Sequence, residues 1–343
     1  MGPVRHSSRA LFTILLTLAG AATAADENVA RFYAGKKISI LVGFGPGGSA
    51  SLYATALSHH MGRFIPGAPT IIAQHMPGAG GLAVANHIAN SAPADGTVFA
   101  ITGRTASIEP LMGNSNAKFD GRKFNWIGST NVENTTCLAW HTSGVKTLAD
   151  AMQRELIIGG TGADATEVIF PKAINEVLGT KFKSVMGYPG STEMDLAMER
   201  GELQGNCGLG WTVIKNRRKD WLKENKISIL FQMALEKHVE LPDVPLVLDY
   251  AKTKDDRSLF EFLFAPQKMG RPFFAPPDVP QERVEALRRA FSQTLKDTAF
   301  LLEAEKSGLE IQLVEGEEVQ KIVGHMYDTP AVVLERVKRI AGH

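Results

Sequence analysis

The stretch ISILVGFGPGGS, residues 38–49, is a short β-branched apolar run that ends in a glycine-rich turn. From Tyr53 to Phe64, apolar side chains then recur at intervals of three and four residues, which is the period of an amphipathic helix. A buried strand that leads through a glycine-rich loop into a helix is typical of a βαβ unit. This stretch therefore predicts an α/β fold with a parallel sheet.

The same pattern recurs along the chain. A second apolar run, residues 70–76, ends at PGAGG (77–81) and leads into a helical stretch, before a third run at 97–102. Beyond residue 130 the alternation starts again, with a second glycine-rich loop, GGTGAD, at 159–164. Two successive α/β halves predict a bilobed α/β protein, with a ligand cleft between lobes that are joined by hinge crossings.

The N-terminal residues have the features of a secretory signal peptide. Arg5 and Arg9 precede the apolar run LFTILLTLAG (11–20), and ATA at 22–24 is a small-x-small cleavage pattern. The apolar run is shorter than the roughly 20 residues that a transmembrane helix needs. We therefore expect cleavage after Ala24 and export of the mature chain from the cytoplasm.

The C-terminal third is predicted to return the chain to the first lobe. Residues 259–264 and 272–275 are expected to be extended, and amphipathic helices follow from about Gln281. Hinge crossings are expected near Thr130 and Glu236. The expected divisions are 1–24 for the signal peptide, 25–130 with 240–343 for lobe 1, where the placement of the C-terminal helix stays open, and 131–239 for lobe 2.

Composition excludes several classes of function. The 37 basic and 36 acidic residues give a net charge of +1, which argues against nucleic-acid binding. Cys137 and Cys207 either pair in a disulfide, as an oxidising compartment favours, or are buried thiols. The sequence contains no G-x-S-x-G, no H-E-x-x-H and no clustered metal ligands. We therefore predict a non-enzymatic protein without metal or cofactor, and expect a monomer.

The first glycine-rich loop is a candidate anion site. Gly43 to Gly48 match the letters of the dinucleotide motif G-x-G-x-x-G, but Pro46 removes a donor and no acidic residue follows at the required distance of about 20 residues. A plain structural turn is a second interpretation. The third is an anion held by free amides at a helix N-terminus, where glycine allows close approach.

The second loop and one arginine are further candidates. Thr161 offers a hydroxyl and Gly162 an amide, while Asp164 is either a helix N-cap or a contact to a ligand cation. Arg104 follows the third strand and either reaches the cleft or lies in solvent. Because neither glycine-rich loop contains Lys or Arg, we expect backbone amides and hydroxyls, rather than a salt bridge, to hold a carboxylate.

Several blocks, in order, resemble the substrate-binding receptors of tripartite tricarboxylate transporters, the Bug family. They are ILVGFGPGG (40–48), QHMPGAGGL (74–82), APADGT (92–97), YPG (188–190) and FAP (274–276). The resemblance implies a type II periplasmic-binding-protein fold that captures a small carboxylate and docks transiently on transporter membrane subunits. An exported sensor or an enzyme on the same fold is the alternative.

The chain also departs from that family's pattern. Ser51 stands where the family has an acidic residue, Ala163 and Thr166 replace a serine and a histidine, and Gln204 replaces another acid. The identity of the ligand therefore does not carry over, and the loss of the first acid disfavours an amino acid. The residues expected to contact ligand are Phe44, Pro46, Gly47, Gly48, Ser49, Ser51, Arg104, Thr161, Gly162, Ala163, Asp164, Thr166, Tyr188, Gly190 and Asn206.

Overall fold

Eleven strands form two separate sheets in the computed structural model, which describes residues 26–342. The predicted signal peptide lies outside the described residues. In chain order the strands are β1 Lys37–Val42, β2 Thr70–His75, β3 Val98–Ile101, β4 Asn125–Ser129, β5 Thr135–Trp140, β6 Glu155–Gly160, β7 Lys181–Met186, β8 Gly205–Gly210, β9 Ile227–Met233, β10 Pro272–Ala275 and β11 Val314–Glu315.

The helices cover the two sheets. None of the helices within residues 26–342 is both long enough and apolar enough to span a bilayer. They are α1 at 26–33, α2 Ser49–His60, α3 Leu82–Asn90, α4 Leu148–Gln153, α5 Thr166–Leu178, α6 Ser191–Glu199, α7 Trp211–Arg217, α8 Lys219–Lys223, α9 Lys254–Phe264, α10 Gln281–Lys296, α11 Thr298–Lys306, α12 Gly316–Tyr327 and α13 Ala331–Ala341.

Each sheet is the centre of one lobe, and the predicted bilobed α/β architecture is confirmed. Lobe 1 has the strand order β11-β4-β10-β3-β1-β2, and β1 pairs in parallel with β2 and β3. Lobe 2 has the order β7-β6-β8-β5-β9, and β6 pairs in parallel with β7 and β8. The carboxyl ends of β1, β3, β6 and β8 all lead toward the space between the lobes.

Strand β1 explains why the quoted stretch is so apolar. Ile38, Ile40 and Val42 share a buried cluster with α2 and α10, whereas Leu41 belongs to the cluster that includes α3. A strand covered by helices on both faces needs apolar residues at nearly every position, rather than at alternate positions. The continuous run in the sequence therefore corresponds to a central strand of a parallel sheet.

One predicted element is wrong. Residues 259–264 were expected to be extended, but they form the end of helix α9. A capping box fixes the start of this helix, because the Thr253 side chain accepts from the Asp256 amide and Asp256 accepts from the Thr253 amide. The run LFEFLF is apolar on a wide face because five of its six residues are buried, including Phe260 and Phe264, whose rings stack 5.4 Å apart.

The chain passes between the two sheets after β4 and before β10, and once more near its end, while the hinges expected near Thr130 and Glu236 stay predictions. Residues 130–134 join β4 to β5, and residues 234–271 join β9 to β10. Helix α12 packs on β4 of lobe 1, but α13 packs on α5 and α9. The domain boundaries stay predictions, and this packing favours assigning α9 and α13 to lobe 2.

Ion pairs attach the last helix to its neighbours. Arg336 pairs through Nε with Glu176 of α5 at 2.8 Å and through Nη2 with Asp256 of α9 at 2.7 Å. The Lys172 ammonium also donates to the Ala341 carbonyl at 3.2 Å. A third connection between the lobes therefore lies at residues 328–330, between α12 and α13.

The two cysteines lie on adjacent antiparallel strands of lobe 2. Cys137 is on β5 and Cys207 is on β8, and the structure joins them in a disulfide. Of the two interpretations of these residues, the structure therefore has the disulfide, which lies wholly within one lobe.

Candidate functional site

A cavity of about 100 Å³ lies between the lobes, where the strand ends of both sheets meet. Lobe 1 contributes the loops after β1 and β3, and lobe 2 contributes β8 and the starts of α5 and α6. Its wall consists of Phe44, Gly48, Ser49, Ala50, Thr102, Gly103, Arg104, Thr161, Thr166, Glu167, Gly190, Ser191, Met194, Asn206, Gly208, Leu209 and Arg271.

Three helices begin at this cavity. The first residues of α2, α5 and α6 are Ser49, Thr166 and Ser191, and all three line it. Within residues 26–342, the residue before each of these helices makes no side-chain cap. Uncapped amides and the positive ends of the helix dipoles therefore favour a negative charge here.

The first glycine-rich loop adopts the turn that its sequence requires. Gly47 has φ +84°, a left-handed conformation that glycine adopts without strain, and Gly48 precedes α2 with φ −70°. A Cβ on Gly48 would lie 3.5 Å from Ser191 Oγ of lobe 2. The lobe 1 loop therefore faces the start of α6 at close range.

About half of the predicted contact residues line the cavity. Those that do are Phe44, Gly48, Ser49, Arg104, Thr161, Thr166, Gly190 and Asn206. Those outside its wall are Pro46, Gly47, Ser51, Gly162, Ala163, Asp164 and Tyr188.

Local contacts account for several of the residues outside the wall. Ser51 is buried in α2, with its Oγ 3.4 Å from His75 Nε2. Gly162 instead faces lobe 1, where a Cβ would lie 2.9 Å from the Ala79 carbonyl carbon. Asp164 is buried and accepts a hydrogen bond of 2.7 Å from Asn114 of lobe 1, while Ala165 is the residue that precedes α5. Gly162 and Asp164 therefore connect the lobes beside the cavity, whereas the contact of Ser51 stays within lobe 1.

Thr161 lines the cavity, but its donors are directed to a protein acid. Its amide and its hydroxyl both donate to Glu167 Oε1, at 2.8 and 2.6 Å. Glu167 is in the first turn of α5 and itself lines the cavity. The second glycine-rich loop therefore presents a carboxylate to the cleft, which sequence reasoning missed.

Arg104 is buried, so the interpretation as a solvated loop residue is wrong. Its guanidinium donates to Thr135 at 2.7 Å, to Gln267 at 3.0 Å and to the Gly270 carbonyl at 3.3 Å. It also lies 3.4 Å from Glu133 Oε2. Burial, together with the nearby positive charge of Arg271, lowers the pKa of Arg104 to about 10. The hydrogen-bond donors of Arg104 are therefore already bonded to protein groups near the crossing between the lobes.

Arg271 is the cation that sequence reasoning missed. It immediately precedes β10, at the end of the second crossing. Its Nη1 lies 3.2 Å from Glu133 Oε2, and its Nη2 donates to the Ser49 hydroxyl at 3.1 Å. The only available signal was an arginine next to a strand that was predicted to return to lobe 1.

Three residues of the cavity wall also have a buried polar atom without a hydrogen-bond partner among the described residues. Among residues 26–342, no hydrogen-bond partner is found for Thr102 Oγ1, Asn206 Nδ2 or Arg271 Nε. These residues come from lobe 1, lobe 2 and the second crossing, and all line the cavity. Asn206 is held with its amide nitrogen free, because its Oδ1 accepts from the Gly208 amide at 2.9 Å. All three atoms are enclosed by protein, so they are unsatisfied groups behind the wall rather than donors exposed to the cavity.

Comparison with solved structures identifies the fold. The periplasmic binding protein BugD has a TM-score of 0.70 at 17% identity, covering 88% of this chain and 97% of BugD. MatC (Rpa3494) from Rhodopseudomonas palustris with bound malate has a TM-score of 0.67 at 17% identity, covering 89% and 99%. Rpa4515 of R. palustris with adipate has a TM-score of 0.65 at 19% identity, covering 90% and 97%.

The described chain therefore has the bilobed fold of periplasmic binding proteins, as the sequence resemblance predicted. Its structural neighbours include proteins with the names BugD and TctC, the receptor group that the sequence blocks resemble. No protein-family model and no curated protein matches the sequence.

Proposed function

We propose that this protein is a periplasmic solute receptor that captures a small carboxylate-bearing compound in the cleft and presents it to membrane subunits of a tripartite tricarboxylate-type transporter. The observation that carries the proposal is that the Arg271 guanidinium, the Ser49 hydroxyl and the first residues of three helices without a side-chain cap within residues 26–342 line one cavity. A guanidinium and the positive ends of helices both stabilise a bound carboxylate.

The surroundings of these donors support an anion rather than a neutral acceptor. Arg271 reaches Ser49 at the start of α2, so a side-chain cation and a helix N-terminus converge on one wall of the cavity. Phe44, Met194 and Leu209 supply apolar wall around these polar groups. Apolar walls with few convergent donors are typical of small-molecule sites.

The ligands of two structural neighbours agree with this chemistry. MatC holds malate and Rpa4515 holds adipate, and both compounds are carboxylates. Since these proteins are under 20% identical to this chain, their ligands support the class of compound and not its identity.

The composition of the cavity wall favours binding over catalysis. Its residues include no His, Cys or Lys that could act as nucleophile or general base. The wall contains one hydroxyl–carboxylate pair within hydrogen-bond reach, Thr161 Oγ1 and Glu167 Oε1 at 2.6 Å, so the enzyme alternative would have to use these two residues.

A thermal-shift screen of small carboxylates against the purified protein tests the proposal. A ligand at 100 times its Kd stabilises the folded state by about 2.7 kcal/mol, which is readily measured. We expect at least one carboxylate of up to about six carbons to raise the Tm, and its matched amide or alcohol to have no effect. Stabilisation by the amides alone would exclude an anion receptor.

A further inference from the structure

Two walls of the cleft carry side chains of opposite charge. Arg271 lies on the wall formed by lobe 1 and the second crossing, whereas Glu167 lies on lobe 2. Both side chains line the same cavity of about 100 Å³, so a ligand of only a few carbons spans it. The two walls therefore favour different groups of a single small molecule.

Glu133 lies outside the cavity wall and contacts both arginines of that wall. Glu133 is within 3.4 Å of Arg104 and 3.2 Å of Arg271, and both distances are to the same oxygen, Oε2. One carboxylate therefore faces two guanidinium groups at separations longer than the 2.7–2.9 Å of a tight charged pair. Glu167 is the fourth charged residue, and its negative charge acts on Arg104.

The wall formed by lobe 2 disfavours a second carboxylate. The two donors that Thr161 offers already bind Glu167 Oε1. A ligand carboxylate at this wall would meet a like charge, and would have to displace Glu167 from both bonds. A cationic group there would instead meet a carboxylate whose other oxygen, Oε2, makes no hydrogen bond with residues 26–342.

We infer that the ligand is a small zwitterion, with its carboxylate at Arg271 and Ser49 and its ammonium group at Glu167. This inference rests on the proposed receptor function and reverses the expectation, based on Ser51, that an amino acid is disfavoured. An acidic residue is present in the cleft, but it is Glu167 of lobe 2 rather than a residue at position 51. A zwitterion places an opposite charge against each of Arg271 and Glu167, whereas a dicarboxylate would place its second carboxylate against Glu167.

Isothermal titration calorimetry with matched probes tests the inference. Alanine, 3-aminopropanoate and 4-aminobutanoate place the ammonium group at increasing distances from the carboxylate. Propanoate and butanoate lack it, and succinate replaces it with a second carboxylate. We expect one zwitterion to bind at least tenfold more tightly than all three of these carboxylates.

Two substitutions identify the partner of the ammonium group. Glu167→Gln should weaken the preferred zwitterion at least tenfold and leave propanoate unchanged within twofold. Glu193→Gln is the matched control, because Glu193 is in the first turn of α6 and outside the cavity wall. The Tm of each empty variant shows whether it is folded, and the comparison of probes on the parent protein decides the question even if Glu167→Gln is unstable.

The outcomes separate this inference from the proposed function. If succinate or propanoate binds as tightly as every zwitterion, or if Glu167→Gln leaves the preference unchanged in a folded protein, the zwitterion inference is wrong and the carboxylate receptor stands. If a wider screen also finds no carboxylate that binds, the proposed function itself fails.

Discussion

The Nη2 atom of Arg271 lies 3.1 Å from the hydroxyl oxygen of Ser49, the first residue of α2. A cation from the second crossing thus stands at a helix N-terminus that, from the sequence alone, was expected to hold a carboxylate without any charged side chain. Both features attract the same anion, and both act at the edge of the cavity where the lobes meet.

Substitution of Arg271 should therefore weaken carboxylate binding. If backbone donors alone held the anion, the substitution would have little effect. A hydrogen bond to a charged group contributes about 1.5–3 kcal/mol, so Arg271→Gln should raise the Kd by roughly 10- to 100-fold. Arg257→Gln is the control, because Arg257 is exposed, pairs with Glu261 on α9 and lies outside the cavity wall. A Kd for Arg271→Gln equal to that of the control variant would show that the backbone holds the anion.

Arg104 should contribute mainly to stability. Its donors already bind Thr135, Gln267 and the Gly270 carbonyl, and it is 6% exposed. Removing one partner of a buried ion pair costs about 3–5 kcal/mol, and Arg271 remains beside Glu133, so the lower end applies. We expect Arg104→Met to lower the free energy of unfolding by about 3 kcal/mol in urea titrations. Unchanged stability with a large loss of affinity would assign Arg104 to the ligand instead.

The strand–loop–helix units were predictable because each has a local signal. In residues 38–60, a run that is apolar at nearly every position precedes glycines and then a 3.6-residue period, and each signal depends on neighbouring residues. The prediction that residues 259–264 are extended was wrong because a short apolar run does not distinguish a buried strand from a buried helix face. The capping box at Thr253 and Asp256 was the better signal.

The cavity was predicted only in part because its charged groups meet through tertiary structure. Arg271 and Ser49 are 222 positions apart, and no local pattern encodes their contact. Glu167 is four residues beyond Ala163, and only the turn into α5 brings its carboxylate back to Thr161. The amphipathic period of α13 predicted a helix, but that period does not specify which lobe the apolar face covers.

The pH dependence of stability should include a contribution from Glu109. This residue is 2% exposed in lobe 1, and its Oε2 accepts a hydrogen bond of 3.3 Å from Asn114. Burial, together with the charge of Asp164, raises its pKa to about 8, against a smaller lowering by the Asn114 hydrogen bond. Between pH 4.5 and about 8 the folded state therefore holds a proton that the unfolded state has lost.

Stability should consequently fall as the pH rises through this window, by on the order of 5 kcal/mol from this group. Glu109→Gln cannot ionise, so we expect it to flatten the profile and to raise the Tm at pH 8 more than at pH 5. Glu318→Gln is the control, because Glu318 is exposed and pairs with Lys321 on α12. It should change neither the pH profile nor the Tm. Parallel pH profiles for the parent and Glu109→Gln would contradict the prediction.

Two glycines should separate ligand binding from closure of the lobes. A Cβ on Gly162 would lie 2.9 Å from the Ala79 carbonyl carbon and from the Gly80 amide nitrogen, which are backbone atoms of lobe 1. Gly162→Val should therefore hold the lobes apart and weaken binding, without unfolding either lobe. Gly48 has a backbone conformation that valine adopts, and it lines the cavity, so Gly48→Val should block the ligand while leaving closure possible.

Small-angle X-ray scattering of both variants, beside calorimetry with a confirmed ligand, distinguishes these effects. We expect Gly162→Val to have a larger radius of gyration than the parent protein under the same conditions, because steric contact with lobe 1 opens the cleft. Gly48→Val should keep the radius of gyration of the empty parent and lose at least tenfold in affinity. The third connection at residues 328–330 limits how far the lobes separate, so the increase should be small but reproducible. If Gly162→Val retains both the radius of gyration and the affinity of the parent, contact between these loops does not control closure.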